Sequence, residues 1–370
     1  MIRVLFIARY RDATMHRKVE LLAQVPDLSL CHILPRFWQD ELVRVEQSTS
    51  LSEHMQQLAV PMIGRTSDPH RAIYRTITFE IPRFRPDIIH AEEEPDSLAA
   101  LQIALARRVF APKSRLVLYT WQNVDRPKRW HVNAVWRATL NASDAVLCAN
   151  REAAELLERL GYRKHARVLP AIGVDTRLFT PLPNQAQDGT FTVGYLGRLV
   201  PEKGVDTFIE AITQIELPVR LWIIGDGPQR TVLQAQAACL GDRARFIAPV
   251  PPNKVARMMT QLNALVLPSR TTRVWKEQFG RVLIEAMACR VPVIGSNSGA
   301  IPEVIGDAGL IFPEGDTKAL ADCLRQLIES HDLCRELSER GYARVMQYYT
   351  QERIAEQTAE FYRQIIEMTG

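Results

Sequence analysis

The chain has 370 residues, of which 46% are apolar and 24% charged. That composition excludes disorder and collagen-like repeats, and the length suits two domains of roughly 150–200 residues better than one core. The formal charge of +4 is unevenly placed: residues 1–180 hold 26 Lys and Arg against 20 Asp and Glu, residues 181–370 hold 20 against 22. A first half at +6 is too weakly basic for a genomic nucleic-acid binder and favours a phosphate-bearing ligand or an anionic membrane surface.

Along the chain, short β-branched runs alternate with helical patterns. Ile2–Ala8 leads straight into charge and reads as a first strand, not a secretory leader. The further strands expected in the first half are Leu28–Leu34, Asp87–Ala91, Leu116–Trp121, Ala145–Ala149 and Arg167–Pro170. Helical patterns fill Met15–Gln24, Ser97–Phe110, Lys128–Asn141 and Glu152–Leu160, the last closed by Gly161. Residues 180–189 hold two prolines and no periodicity, and read as a linker.

The alternation then restarts. Phe191–Gly197, Val219–Gly225, Arg245–Ala248, Ala264–Pro268, Pro292–Ser296 and Gly309–Phe312 read as strands. Several are almost wholly apolar, as strands covered on both faces must be. Val205–Gln214, Gln229–Leu240, Asn253–Gln261 and Gly280–Cys289 read as helices, and residues 316–370 as helix interrupted near Gly341 and Thr350. The expected fold class is therefore α/β: two Rossmann-like, doubly wound parallel-sheet domains, residues 1–180 and 190–349, with a ligand cleft between them. No apolar run approaches the roughly 18 residues that span a bilayer. The six cysteines form no CxxC pair, so neither a zinc knuckle nor a disulfide framework is indicated, and a cytoplasmic setting is expected.

Three segments of the second half carry chemistry. In Gly194–Gly204, a strand ends at Gly197, Arg198 follows at once, and Lys203-Gly204 opens a helix. Two cations beside a helix N-terminus favour a bound phosphate, although a solvated glycine turn reads the same way. Next, Glu277 sits in a loop, Gly280 at a helix start and Glu285 on the helix, within Val-Leu-Ile-Glu-Ala-Met-Ala. Eight helical residues rise about 12 Å, so the two carboxylates can serve different parts of one extended ligand, as carboxylates do when they accept from vicinal sugar hydroxyls. Finally, Gly299 permits close backbone approach between a strand end and a short helix near Pro302.

In this order the segments resemble the retaining glycosyltransferases of family 4, which have the GT-B fold. The matching residues are Gly197-Arg198-Leu199…Lys203-Gly204, Pro268-Ser269, Glu277 to Glu285-Ala-Met-Ala288, Pro292-Val-Ile294 and Gly299-Ala300-Ile-Pro302-Glu303. The resemblance implies that Arg198 and Lys203 clamp a donor diphosphate, Glu285 holds the ribose and Glu277 orients the donor sugar. Arg198, Lys203 and Glu277 would be the catalytic set. The backbones of Gly197, Phe279, Gly280, Arg281, Gly299 and Ala300 would line phosphate and sugar, and the stretch ending at Val250 the base. It also implies that no metal or other cofactor is needed, in keeping with a sequence that holds no D-x-D pair, and that a C-terminal helix, about 350–370, crosses back to the first domain. The chain departs from the family pattern where Arg290 replaces a glycine and Ala300 the second of a glycine pair. It departs again where Arg9–Lys18 replaces a glycine-rich loop, and where Trp121-Gln122-Asn123 stands in place of a histidine.

Two clusters of the first half stand at expected strand ends. Glu92, Glu93 and Glu94 could capture acceptor hydroxyls, or complement the dipole of the helix from Ser97. Trp121 could stack on a sugar with Gln122 and Asn123 bonding it, or belong to the core. The basic stretch Arg9–Lys18 could meet a phosphorylated or lipid-diphosphate acceptor, or a membrane surface, or simply be solvated. The expected function is metal-independent, retaining transfer of a sugar from a UDP- or GDP-linked donor to a glycan, lipid-linked or small-molecule acceptor. The protein would be cytoplasmic, with peripheral contact at the inner membrane face and no nucleic-acid partner. The rival readings are a nucleotide-sugar epimerase of similar architecture and a non-catalytic nucleotide-sugar-binding partner.

Overall fold

The computed structural model describes residues 1–10, 13–39, 44–46, 49–51, 55–65, 68–181 and 190–368. Arg11 and Asp12 of the basic stretch, and residues 182–189 of the expected linker, lie outside the described residues. The chain divides into two compact units, Met1–Ile172 with Gln351–Gly370, and Gly173–Thr350.

The first unit is built on parallel strands β1 (Ile2–Ile7), β2 (Leu28–Pro35), β3 (Met55–Val60), β4 (Ile88–Ala91), β5 (Arg115–Thr120), β6 (Ala145–Cys148) and β7 (His165–Val168). Their order is β7-β6-β5-β4-β1-β2-β3, with the two-residue strand Ser50–Leu51 antiparallel at the edge. Alternation along β1 divides the core. Val4 and Phe6 face α1 (Arg17–Ala23) and the C-terminal helix Gln351–Glu367. Leu5 and Ile7 face α2 (Ile77–Phe84), α3 (Leu98–Phe110), α4 (Trp130–Ala142) and α5 (Arg151–Arg159). The C-terminal helix belongs here because Ile354, Ala355, Ala359, Tyr362 and Ile365 recur at helical spacing and are all buried. Sequence reasoning missed β3, whose Met-Gln-Gln-Leu start alternates weakly, and α2, which carries Pro82 inside it.

The second unit has strands β8 (Phe191–Leu196), β9 (Val219–Ile224), β10 (Ala244–Ile247), β11 (Ala264–Leu267), β12 (Val293–Ser296) and β13 (Gly309–Phe312). All are parallel, in the order β10-β9-β8-β11-β12-β13. The chain starts mid-sheet at β8, runs outward to β10, then returns to build the other half. The topological switch point thus lies between β8 and β11, where open α/β sheets bind ligands at their carboxyl ends. Helices α6 (Val205–Thr213), α7 (Arg230–Gln236), α8 (Pro252–Met259), α9 (Arg281–Ala288), α10 (Ile301–Ile305), α11 (Thr317–Glu329) and α12 (His331–Tyr348) complete it.

Two expectations change. Residues 173–180 group with the second unit, because Val174 pairs with Thr350 and donates to Tyr349 O at 2.8 Å. The C-terminal helical region breaks at Ser330, whose Oγ accepts from Leu333 N at 3.2 Å, and again at Tyr349, but not at Gly341. Gly341 lies mid-helix, where a Cβ would meet Met287 Cγ at 2.9 Å. The glycine lets α12 lie close on α9.

Candidate functional site

Because the second sheet is wholly parallel, the loops after β8, β10, β11 and β12 emerge at one edge. Gly197 and Arg198 leave β8, with the Arg198 side chain exposed and its carbonyl fixed by the Tyr195 hydroxyl, which donates at 2.7 Å. A single 3₁₀ turn, Pro201–Lys203, then runs to Gly204, which has φ +62° and begins α6. A Cβ on Gly204 would meet Pro268 O at 2.1 Å, so the loop after β8 is packed directly on the loop after β11.

That packing brings Lys203 to Glu277. Lys203 Nζ donates to Glu277 Oε2 at 2.6 Å, and Ser269 Oγ donates to the same oxygen at 2.8 Å. The ammonium also lies 4.8 Å from the centre of the Trp275 ring. Glu277 is buried, and its backbone carbonyl accepts from Ala300 N at 2.9 Å. A Cβ on Gly299, at φ +53°, would meet that carbonyl at 2.1 Å. The close approach read at Gly299 is therefore to the backbone of Glu277, and it fixes the carboxylate-bearing loop. Burial raises the Tyr195 hydroxyl well above its ordinary pKa, and the nearby Glu277 charge adds to this.

Gly280, at φ +77°, precedes α9, so the Phe279–Arg281 backbone forms that helix's N-terminus. Phe279 is buried edge-on to Tyr349, with ring centres 5.8 Å apart. One and a third turns into α9, Glu285 is 7% exposed and accepts from Arg281 Nε at 2.9 Å. The apolar run around Glu285 predicted a buried carboxylate with a partner, and Arg281 is one. Val250 lies half-buried in the loop after β10. The sequence assigns no role to Ser269, which enters only through the Pro268-Ser269 match, or to Trp275. The Pro268-Ser269 pair and the basic-aromatic stretch Thr271-Thr-Arg-Val-Trp-Lys276 before Glu277 are the signals that mark them.

In the first unit the three carboxylates separate. Glu92 pairs with Lys18, both side chains almost fully buried. Glu93 accepts from Arg9 Nε at 2.7 Å and from the Tyr74 hydroxyl at 2.8 Å. Glu94 accepts from Trp121 N at 2.7 Å and Thr120 Oγ1 at 2.8 Å, and burial raises its pKa. Capping of α3 falls instead to Ser97, whose Oγ accepts from Ala100 N at 3.0 Å. Arg9 and Lys18 thus turn inward from the basic stretch, which sequence alone could not show. Trp121 is half-buried against Tyr119, with ring centres 5.0 Å apart. Gln122 and Asn123 are buried; Gln122 accepts from Lys128 Nζ at 3.1 Å and Asn123 Nδ2 donates to Glu152 at 3.2 Å. Among the described residues, no group of three or more His, Cys, Asp or Glu could hold a metal ion.

Residues 181–344 match the family described as "Glycosyl transferases group 1", and residues 47–178 match "Glycosyltransferase Family 4". The chain is 35% identical over 166 residues to the N-acetyl-alpha-D-glucosaminyl L-malate synthase of Bacillus anthracis, covering 44% of this chain and 41% of that protein. It is 29% identical over 240 residues to the phosphatidylinositol N-acetylglucosaminyltransferase gpi3 subunit of Schizosaccharomyces pombe, covering 63% and 51%. The chain thus spans about half the length of these curated relatives. Anabaena Alr3699/HepE, solved in complex with UDP, superposes with a TM-score of 0.75 at 18% identity, over 98% of this chain and 100% of that one, which shows a shared fold.

Proposed function

We infer the activity from the premise that this chain belongs to glycosyltransferase family 4 and has the GT-B fold: it transfers a sugar from a nucleoside-diphosphate donor to a hydroxyl acceptor, retaining the anomeric configuration and using no metal. The observation that carries the reading is the Lys203–Glu277–Ser269 cluster at the carboxyl edge beside the β8/β11 switch point.

The chemistry follows from the charges. Breaking the bond between the sugar's anomeric carbon and the diphosphate oxygen leaves negative charge on the departing group. Arg198 and Lys203 meet that charge, which lowers the barrier most where water is excluded. Glu277, held in place by Ser269 and by the Gly299–Ala300 backbone, accepts from sugar hydroxyls and orients the anomeric carbon. Glu285 accepts from the ribose hydroxyls, with Arg281 limiting its rotation. The N-terminus of α9 offers backbone N–H groups to the phosphates. On the first unit, the loop after β5 takes the acceptor. The half-exposed Trp121 supplies a stacking face, and Glu94 fixes its backbone. Glu92, Glu93, Gln122 and Asn123 shape the wall behind it.

The test is calorimetric titration of the full chain with UDP- and GDP-sugars. One nucleotide sugar should bind, and Arg198→Ala and Lys203→Ala should each weaken it by roughly 10- to 100-fold, the cost of losing a charged hydrogen bond. Binding by neither class, or equal binding by both variants, would sink the assignment. Turnover unchanged in excess chelator checks the metal independence.

A further inference from the structure

The outer layer of the first unit departs from what a water-facing helix should be. α3 reads Leu-Ala-Ala-Leu-Gln-Ile-Ala-Leu-Ala-Arg-Arg-Val-Phe, with apolar residues on the side away from the sheet as well as on the side facing it. One side does pack on the sheet, through Ala99, Ala100, Ile103 and Ala104. The opposite stripe, Leu98, Leu105 and Val109 with the half-buried Leu101, recurs at one-helix-face spacing and faces outward among the described residues: Leu98 is 42%, Leu105 55% and Val109 68% exposed. α3 packs against α2 and α4, and each adds an exposed aromatic, Phe79 at 71% and Trp130 at 82%. Isolated exposed apolar residues are ordinary, but several on three helices that pack side by side mark an interaction surface.

Charge identifies the occupant. The three helices hold one carboxylate, Glu80, against Arg83, Arg107, Arg108 and Arg137, of which Arg107 pairs with Asp144. The loop before α4 adds Arg126, Lys128 and Arg129 against Asp125. A second copy of this chain, docked on the same face about a two-fold axis, would set these arginines against themselves. An anionic lipid surface instead complements both the cations and the apolar stripe, and an exposed Trp is the side chain that seats at a lipid–water interface.

We propose that the α2–α3–α4 face binds anionic lipid bilayers peripherally, with Leu105, Val109, Phe79 and Trp130 entering the interface and Arg83, Arg108 and Arg129 meeting lipid phosphates. The inference does not rest on the transferase reading. It also moves the membrane contact away from the Arg9–Lys18 stretch, where Arg9 and Lys18 are spent on Glu93 and Glu92.

The experiment is co-sedimentation of the full chain with phosphatidylcholine vesicles containing about a third phosphatidylglycerol, beside pure phosphatidylcholine vesicles. Binding to the anionic vesicles should exceed binding to the neutral ones at least tenfold and fall with salt, since each basic residue near such a surface contributes about fivefold. Arg108→Glu with Arg129→Glu should remove the preference, and Leu105→Gln with Val109→Gln should weaken binding at least tenfold. Both double variants should keep the wild-type thermal midpoint and nucleotide-sugar affinity. No binding at low salt, equal binding by the variants, or a dimer in sedimentation equilibrium that these substitutions dissociate would overturn the proposal.

Discussion

Lys203 and Glu277 are bonded to each other at 2.6 Å, although the proposed function gives each a separate task toward a donor. The pair satisfies a buried carboxylate and a cation that is itself four-fifths buried. A donor must therefore share or replace this bond. Lys203→Ala should lose donor affinity and also stability, by about 2 kcal/mol, because it takes the cation away from a buried carboxylate. Glu277→Gln should retain the fold and lose turnover far more than donor binding, since the amide still fills the site. Calorimetry and thermal melts of both variants separate the two effects. Equal losses of turnover and binding in Glu277→Gln would count against an orienting role.

Glu285 offers a cleaner division between binding and chemistry. It lies on α9, buried, with Arg281 one turn before it. Removing its charge should weaken a ribose-bearing ligand without touching the sugar. Glu285→Gln should therefore weaken free nucleoside diphosphate and nucleotide sugar by the same factor, roughly tenfold for one charge-assisted hydrogen bond. A variant that loses nucleotide-sugar affinity but binds free nucleoside diphosphate normally would move Glu285 from the ribose to the sugar.

Much of the second unit was legible in the sequence because its signals are local. Continuous apolar strands, Gly-Arg and Lys-Gly at a strand end, and a carboxylate inside an apolar helix each announce their place. What could not be read was pairing across the chain. Nothing in Arg9–Lys18 says that Lys18 is buried on Glu92, 74 positions away. Nothing in Gly299 says that its empty side faces Glu277 O. Gly341 looked like a break and is a packing contact, because the constraint on it comes from Met287 on another helix. Weak period-2 patterns hid β3, and a proline hid α2, since tertiary burial and not propensity holds both.

Arg290 stands where the family pattern has glycine, and it keeps the glycine conformation at φ +59°. Its side chain compensates by pairing with Glu339 and lying 4.5 Å from the Tyr342 ring centre, while its carbonyl accepts from Ser338 Oγ at 2.7 Å. Arg290→Ala loses the side-chain contacts and keeps the left-handed backbone. Arg290→Gly loses the same contacts and releases the strain. The glycine variant should therefore be the more stable of the two by about 1 kcal/mol, or about 3 °C in thermal midpoint. Equal midpoints would mean that position 290 stores no strain.

His70 and Asp96 form a pH-dependent contact at the base of α3, with Nδ1 3.1 Å from Oδ1. The bond to Asp96 raises the His70 pKa above its ordinary value near 6.5. Burial opposes ionisation of Asp96, but the His70 bond and charge outweigh it and hold the carboxyl below its usual range. For His70 the stabilisation is full below the unfolded value and is lost as pH rises through the folded one. For Asp96 it is present above the unfolded value and is lost as pH falls through the folded one. The contact therefore stabilises most in mildly acidic solution. His70→Gln should lower the thermal midpoint more at pH 6 than at pH 8.5, and the His70 ring protons should titrate above the ordinary midpoint by NMR. A variant equally destabilised at both pH values would show that the pair contributes through packing and not through charge.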